Sequence, residues 1–157
     1  MGFVKINIDA GFKDAEGVSL GIVCRDDDGW VLWGISMVQE QVWEPRVAQV
    51  VSVFEGVKEA VQRDHSKVVF ESNCLPVIDV LQKEKTGRSM LALVLDDILV
   101  FRNSFLSISW SYTRRVNNSV AHALAHISPR VLGRYLWSDA LPLIANSAVL
   151  FDLSLMQ

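Results

Sequence analysis

Hydrophobic and polar residues alternate along the first forty positions in a way that predicts three consecutive strands. Within residues 3–9, Val4, Ile6 and Ile8 form an apolar side and polar residues occupy the other, which indicates a strand with one packed face. Residues 18–25 read as a second strand, and Asp28 followed by Gly29 is a strong signal for a tight turn. Residues 30–38 are its hairpin partner, so the chain begins with an antiparallel meander.

The spacing of apolar residues changes to three and four after Pro45. This predicts an amphipathic helix of about five turns that ends near residue 63. The same criteria then predict a strand over 67–71, helices over 76–81 and 90–101, a strand over 105–112 and a last helix over 118–127 that Pro129 ends. Strands that alternate with helices after a meander predict an α/β protein, in which helices flank a mixed sheet of five strands.

A chain of 157 residues has the size of one globular domain. We expect residues 1–130 to form it and residues 131–157 to be an apolar C-terminal extension packed on it.

With 15 basic and 18 acidic side chains the formal charge is −3, which excludes a generally basic nucleic-acid-binding surface but not a local basic patch. No membrane-length apolar stretch or signal peptide is visible, so we expect an intracellular protein of the nucleus or cytoplasm with no membrane partner.

Local sequence along this order of elements resembles plant ribonuclease H-like domains, the group related to the reverse transcriptases of retroelements. The resembling segments lie in the first two strands, the long helix, the fourth strand and the last helix: residues 5–10, 21–26, 48–56, 69–72 and 121–125. The similarity extends over nearly the whole chain. It implies a ribonuclease H-like fold, with three antiparallel strands followed by two more.

The family that the sequence resembles cuts the RNA strand of an RNA–DNA hybrid with two magnesium ions held by four carboxylates. The equivalent positions here are Asp9, Gln49, Asn73 and His122, so the resemblance implies that three of the four carboxylates are missing. Two replacements are amides, which bring no formal charge, and the third offers an imidazole nitrogen, which suits zinc or copper better than magnesium. Asp9 is then either a residual metal ligand or a solvated acid at the end of its strand.

The loss of three acids changes the charge of such a site from about −4 to −1, and each pair of unit charges about 4 Å apart contributes roughly 4 kcal/mol at an effective dielectric constant near 20. We therefore expect a pseudo-nuclease with no intact catalytic residue and no cofactor, which retains at most weak binding to RNA or to an RNA–DNA hybrid. The alternative is a hybrid ribonuclease with displaced ligands, which would need Mg²⁺ or Mn²⁺. Glu71 is the candidate for a displaced ligand.

Basic and imidazole side chains near the last helix are the remaining candidates. Arg114, Arg115 and Asn118 are either contacts for nucleic acid or part of a solvated surface. His122 and His126 are four residues apart on one helix, a spacing that brings two imidazoles together. No third ligand follows at a recognisable interval. Either the two histidines belong to a transition-metal site, or His126 is a solvated surface residue.

The C-terminal segment from residue 136 is rich in Leu, Ile, Val and Phe. Either it packs back on the sheet or on a helix, or its apolar surface contacts a partner protein or a second copy of the chain. The second alternative describes a protein-interaction or regulatory module that uses the ribonuclease H fold as a scaffold.

Overall fold

The computed structural model of the protein describes residues 2–12, 17–83, 88–127, 131–138 and 140–155. Strands β1 (Val4–Phe12), β2 (Val18–Arg25) and β3 (Val31–Gln39) form the antiparallel meander that the alternating pattern predicts. In the turn between β2 and β3, the Gly29 N–H donates to the carbonyl oxygen of Asp26 at 3.1 Å. Gly29 has a φ of 87°, in the left-handed region that favours glycine, so the predicted turn is confirmed.

The next elements follow the predicted order with small shifts of their boundaries: α1 (Pro45–Gln62), β4 (Lys67–Ser72), α2 (Leu75–Lys83), α3 (Met90–Val100), β5 (Ser107–Tyr112) and α4 (Ser119–Ala125). Two further elements, β6 (Gly133–Trp137) and α5 (Leu143–Leu155), lie in the C-terminal extension, for which no strand or helix was predicted. The last helix begins one residue later than predicted, after a 3-10 turn over Arg115–Asn118, and ends two residues earlier than predicted, at Ala125. Pro129, expected to end that helix, lies outside the described residues. Among those described, no helix has both the length and the apolar character needed to span a bilayer.

The sheet contains six strands in the order β5-β4-β1-β2-β3-β6, so the expected count of five is wrong by one. Strand β4 is parallel to β1 and β5 is parallel to β4, whereas β6 is antiparallel to β3. The additional strand comes from the C-terminal extension, where Trp137 pairs with Gly34 and Gly133 with Val38. Four of the five residues of β6 are exposed, so the alternation of apolar and polar positions that signals a strand is absent from this segment. The division of the chain at residue 130, itself outside the described residues, stays a prediction.

Helices cover both faces of the sheet. Helix α1 packs on one face against β1 and β2, where Ile6, Ile8 and Ile22 are fully buried in the main core. Helix α4 packs on the opposite face against the three strands of the meander, and α5 packs on α4. The expectation that only one face of β1 is packed is therefore wrong, because residues 6–11 are all buried.

Two glycines allow α4 to lie close to the sheet. A Cβ atom on Gly21 of β2 would overlap the backbone carbonyl oxygen of Ala121 in α4. A Cβ atom on Gly11 of β1 would lie 2.7 Å from the carbonyl oxygen of Ala125. The last helix can therefore bring its side chains directly against the strand that carries Asp9.

An ion-pair cluster joins β6 to α1. Glu59 is buried, and its carboxylate oxygens accept hydrogen bonds from Arg63 Nε at 2.6 Å and from Arg134 Nη2 at 2.8 Å. Burial by itself would raise the pKa of Glu59, but the hydrogen bonds and positive charges of the two arginines outweigh burial, so that its pKa is lowered. Charge as well as backbone pairing therefore attaches the sixth strand to the rest of the protein.

Candidate functional site

Asp9 lies inside β1, three residues before its end, and is 5% exposed. Its Oδ1 accepts a hydrogen bond from Gln49 Nε2 at 3.1 Å, and its Oδ2 lies 2.8 Å from His122 Nδ1. Each carboxylate oxygen therefore faces a side chain from a different helix, α1 on one side and α4 on the other. The alternative of a solvated acid at the strand end is wrong, because β1 continues to Phe12 and helices cover both faces.

The contacts of His122 determine which of its ring nitrogens carries the proton. His122 Nε2 lies 3.3 Å from Arg115 Nη2, while Nδ1 faces Asp9. A guanidinium group only donates hydrogen bonds, so Nε2 must accept one and Nδ1 must carry the proton that it donates to Asp9. This arrangement selects the neutral Nδ1–H tautomer of His122.

Asn118 connects the segment before α4 to two strands of the sheet. Its Nδ2 donates to the carbonyl oxygen of Ile8 at 2.9 Å and to Asn73 Oδ1 at 2.8 Å. Its Oδ1 accepts a hydrogen bond from Asn7 Nδ2 at 3.1 Å. Asn118 is 1% exposed. The structure thus joins Asn73, the residue after β4, to the strand of Asp9 through this one buried amide.

Glu71 of β4 is half-buried, lies opposite Asn7 of β1 and extends this network through that residue. Its carboxylate accepts a hydrogen bond from Asn7 Nδ2 at 3.0 Å and forms an ion pair with Lys5 Nζ at 3.3 Å. None of its described contacts reaches Asp9. As a displaced metal ligand, Glu71 would have to exchange both of these interactions.

The side-chain nitrogen of Gln49 has a hydrogen-bond partner among the described residues, and its side-chain oxygen has none. Its Nε2 faces Asp9, because a carboxylate only accepts hydrogen bonds, and its Oε1 is buried with no partner among the described residues. One turn later in α1, Ser52 Oγ lies 3.2 Å from the backbone carbonyl oxygen of Asp9, which holds α1 against β1. Sequence reasoning missed Ser52, and it missed Asn7 because alternation alone places that residue on a solvated face.

His126 completes a group with His122 and Asp9. The two imidazole centroids are 4.0 Å apart and the rings are inclined by 32°. One ligand atom from each of the three residues lies within 4.8 Å of the other two. The i, i+4 spacing predicted that the imidazoles would meet, and the fold brings beside them a carboxylate from β1 that the sequence does not reveal.

The candidate nucleic-acid contacts differ in their accessibility. Arg114 and Arg115 are exposed beside the 3-10 turn, and Arg115 contacts the ring of His122. Asn118 is buried, so a contact between its amide and nucleic acid would require the loss of internal hydrogen bonds. The roles of all three residues in binding stay predictions.

Comparisons with known proteins agree with this architecture. The model of a family described as reverse transcriptase-like matches residues 7–128. The structure is similar to ribonuclease H1 from the halophilic archaeon Halobacterium salinarum NRC-1, with 16% identity, 79% of this chain and 95% of that chain covered, and a TM-score of 0.72. It is similar to the N-terminal ribonuclease H domain of Rv2228c from Mycobacterium tuberculosis, with 20% identity, coverages of 80% and 91%, and a TM-score of 0.72.

A third similar structure is the compost-derived LC11-RNase H1 in complex with an RNA/DNA hybrid, at 17% identity, coverages of 77% and 92%, and a TM-score of 0.69. At these identities the likeness shows the fold. No curated protein matches the sequence.

Proposed function

This chain belongs to the reverse transcriptase-like family and is a ribonuclease H-like domain, and on that premise we propose that it binds RNA–DNA hybrids weakly without cleaving them. One observation carries the proposal. Asp9 is the one carboxylate at the four positions that the resemblance equates with a metal site, and side chains of the protein occupy both of its oxygens. Gln49 and His122 contact Asp9, and the side chain of Asn73 is hydrogen-bonded to Asn118.

The chemistry of the donor set does not fit a pair of magnesium ions. Mg²⁺ prefers charged, hard oxygen ligands in octahedral geometry, and two such ions close together need several anions between them. Gln49 directs an N–H group toward Asp9, and even with its amide rotated it would supply only a neutral oxygen in place of a carboxylate. The side-chain oxygen of Asn73 accepts a hydrogen bond from Asn118. We therefore assign no hydrolytic step to these residues.

Binding to a hybrid rests on the exposed arginines beside the site. Arg114 and Arg115 are accessible cations on a protein of net charge −3, so they provide a local basic patch rather than a general one. LC11-RNase H1 shares the fold, and its structure in complex with an RNA/DNA hybrid supports the choice of ligand. Few phosphate contacts imply weak binding that salt reduces further.

A cleavage assay tests the loss of activity. The full chain is incubated with a labelled RNA–DNA hybrid and Mg²⁺ or Mn²⁺, at protein concentrations up to equimolar with the hybrid. We expect no cleavage at any concentration. Cleavage by the wild-type protein that disappears in the Asp9→Asn variant would contradict the proposal, because it would show that the carboxylate still serves a hydrolytic site.

A salt titration tests the binding. Fluorescence anisotropy with a labelled hybrid measures affinity for the wild-type protein and for the double variant Arg114→Gln, Arg115→Gln. Each lost phosphate contact should reduce the slope of log affinity against log salt by about 1, so we expect a difference of about 2. Lys67→Gln, at the opposite end of β4 from Asn73, is the control and should leave the slope unchanged. Equal slopes for all three proteins would contradict a hybrid-binding role for the arginines.

The exposed apolar residues of the C-terminal segment favour self-association as a second candidate function. Leu143 and Leu150 are 86% and 69% exposed and lie seven residues apart on α5, hence on one face of that helix. Sedimentation velocity over a range of concentrations should show a dimer that Leu143→Gln with Leu150→Gln abolishes. Leu106→Gln, at another exposed leucine, is the control. A wild-type protein that stays monomeric at every concentration would exclude this candidate.

A further inference from the structure

One carboxylate and two imidazoles meet where α4 crosses β1. The group contains Asp9, His122 and His126, and their ligand atoms lie within 4.8 Å of one another. Two nitrogen donors and one carboxylate suit zinc and neighbouring transition metals better than magnesium. We propose that these three side chains bind a single divalent transition-metal ion, for which Zn²⁺ is the representative probe. Three protein ligands leave a fourth tetrahedral position for water.

His126 is oriented for this role. Its Nδ1 lies 2.8 Å from the backbone carbonyl oxygen of His122, so Nδ1 carries the proton and donates it to that oxygen. The lone pair is therefore on Nε2. A hydrogen bond from the second ring nitrogen to a backbone carbonyl is the usual way in which proteins orient a metal-binding histidine. A Cβ atom on Gly11 would lie 3.0 Å from His126 Nε2, so a glycine at that position of β1 leaves the nitrogen room beside the strand.

Asp9 and His122 supply the other two ligand atoms. In the structure His122 Nδ1 donates a hydrogen bond to Asp9 Oδ2, with 2.8 Å between the two atoms. Two ligand atoms of a tetrahedral zinc ion are about 3.4 Å apart, given bond lengths near 2.05 Å, so the pair must open by about half an ångström. The proton on Nδ1 moves to Nε2 through solvent, which leaves the imidazole neutral. The exposed guanidinium of Arg115 then rotates away from Nε2, which no longer accepts a hydrogen bond.

Gln49 is a second, independent observation at the same place. It is 8% exposed, and its Oε1 has no partner among the described residues while its Nε2 faces Asp9. Rotation of the amide by half a turn would present Oε1 to an ion bound at Asp9, in exchange for the present hydrogen bond from Nε2 to Asp9. The proposal goes beyond hybrid binding, because it concerns one ion with nitrogen ligands and does not depend on any nucleic acid.

Competition for Zn²⁺ between the full chain and a chromophoric chelator tests the site, together with the visible absorption of added Co²⁺. The test variant is His126→Asn, which retains an N–H near the Nδ1 position and removes the Nε2 lone pair. The matched control is His65→Gln, which removes the one other histidine of the chain and keeps an acceptor for the indole N–H of Trp33. Mg²⁺ in excess serves as a competitor for both metals.

We expect one equivalent of Zn²⁺ to bind to the wild-type protein and to the control, with no displacement by Mg²⁺. In His126→Asn the affinity should fall by at least about tenfold and the Co²⁺ absorption band should be lost. Equal affinity in His126→Asn and wild type, or no stoichiometric binding by wild type, would overturn the proposal. If the far-UV circular dichroism of His126→Asn differs from that of wild type, Asp9→Asn takes its place under the same criterion.

Discussion

Replacement of Gln49 by glutamate places a second carboxylate against Asp9 without a change of side-chain shape. Gln49 Nε2 now donates to Asp9 Oδ1 at 3.1 Å, and both residues are buried. In the Gln49→Glu variant an anionic oxygen occupies the position of that N–H group. A favourable hydrogen bond is thus exchanged for the repulsion of two like charges that water cannot screen effectively.

The size of the effect follows from the geometry. Two full charges 3.1 Å apart repel by about 5 kcal/mol at an effective dielectric constant of 20. Protonation of an ordinary carboxyl group at pH 7 costs about 4 kcal/mol, so the pair takes up one proton and the loss is limited to that value. We therefore expect the free energy of unfolding to fall by about 3 to 4 kcal/mol at pH 7.

The same reasoning predicts how the loss depends on pH. The folded variant binds one proton more than its unfolded chain, so its stability decreases as pH rises above the ordinary carboxyl pKa of about 4. Each unit of pH contributes about 1.4 kcal/mol, and the deficit relative to wild type should shrink to about 1 kcal/mol at pH 5.

Urea denaturation followed by tryptophan fluorescence, at pH 7 and at pH 5, measures both quantities on a chain with five tryptophans. Gln62→Glu makes the same chemical change at an exposed position of the same helix and should alter stability by no more than about 0.5 kcal/mol. The reasoning is refuted if Gln49→Glu is as stable as Gln62→Glu at pH 7, or if its deficit is the same at both pH values.

Two further substitutions test the packing around the site, and a third tests the ion-pair cluster that joins β6 to α1. Gly21→Ala should lower the free energy of unfolding by about 3 kcal/mol or more, because its methyl group overlaps the backbone of α4; an unchanged urea midpoint would show that α4 does not approach β2 so closely. Asn118→Ala leaves buried polar partners unsatisfied and should cost about 2 to 4 kcal/mol by the same measurement, whereas a loss below about 0.5 kcal/mol would contradict its place in the network. The lowered pKa of Glu59 stabilises the fold above the unfolded-state value of about 4.3, and this contribution is lost as pH falls through the folded-state pKa. The deficit of Glu59→Gln should therefore be largest at pH 7 and shrink in acid, and a deficit that does not vary with pH would contradict the ion-pair cluster.

Local periodicity was sufficient for most of the architecture, because the signals that produce a strand, a helix or a tight turn lie within a few residues of one another. The meander, α1 and the turn at Gly29 are confirmed close to their predicted positions. The edge strand β6 was missed because four of its five residues are exposed, so the strand has no buried face and its sequence shows no alternation of apolar and polar positions.

Some features of the candidate site are likewise set by the sequence and others by the fold. The identities of its side chains, one carboxylate with two amides and an imidazole, are a property of the sequence, and with them comes the small negative charge that the site can offer. The contacts between these side chains are not a property of the sequence alone. Asp9 and His122 are 113 residues apart, and Asp9 Oδ2 lies 2.8 Å from His122 Nδ1 because small residues allow α4 to cross β1 closely.

The sequence by itself therefore determined the order of the predicted elements, which depends on neighbouring residues. It also determined the charges and hydrogen-bonding groups of the side chains, which depend on individual residues. Only the tertiary structure decided that Asp9 is buried between two helices, that His122 is the Nδ1–H tautomer, and that His126 joins a carboxylate from a distant strand. Burial, tautomer and ligand geometry all depend on which remote groups come within hydrogen-bonding distance, and that is set by the packing of the whole domain.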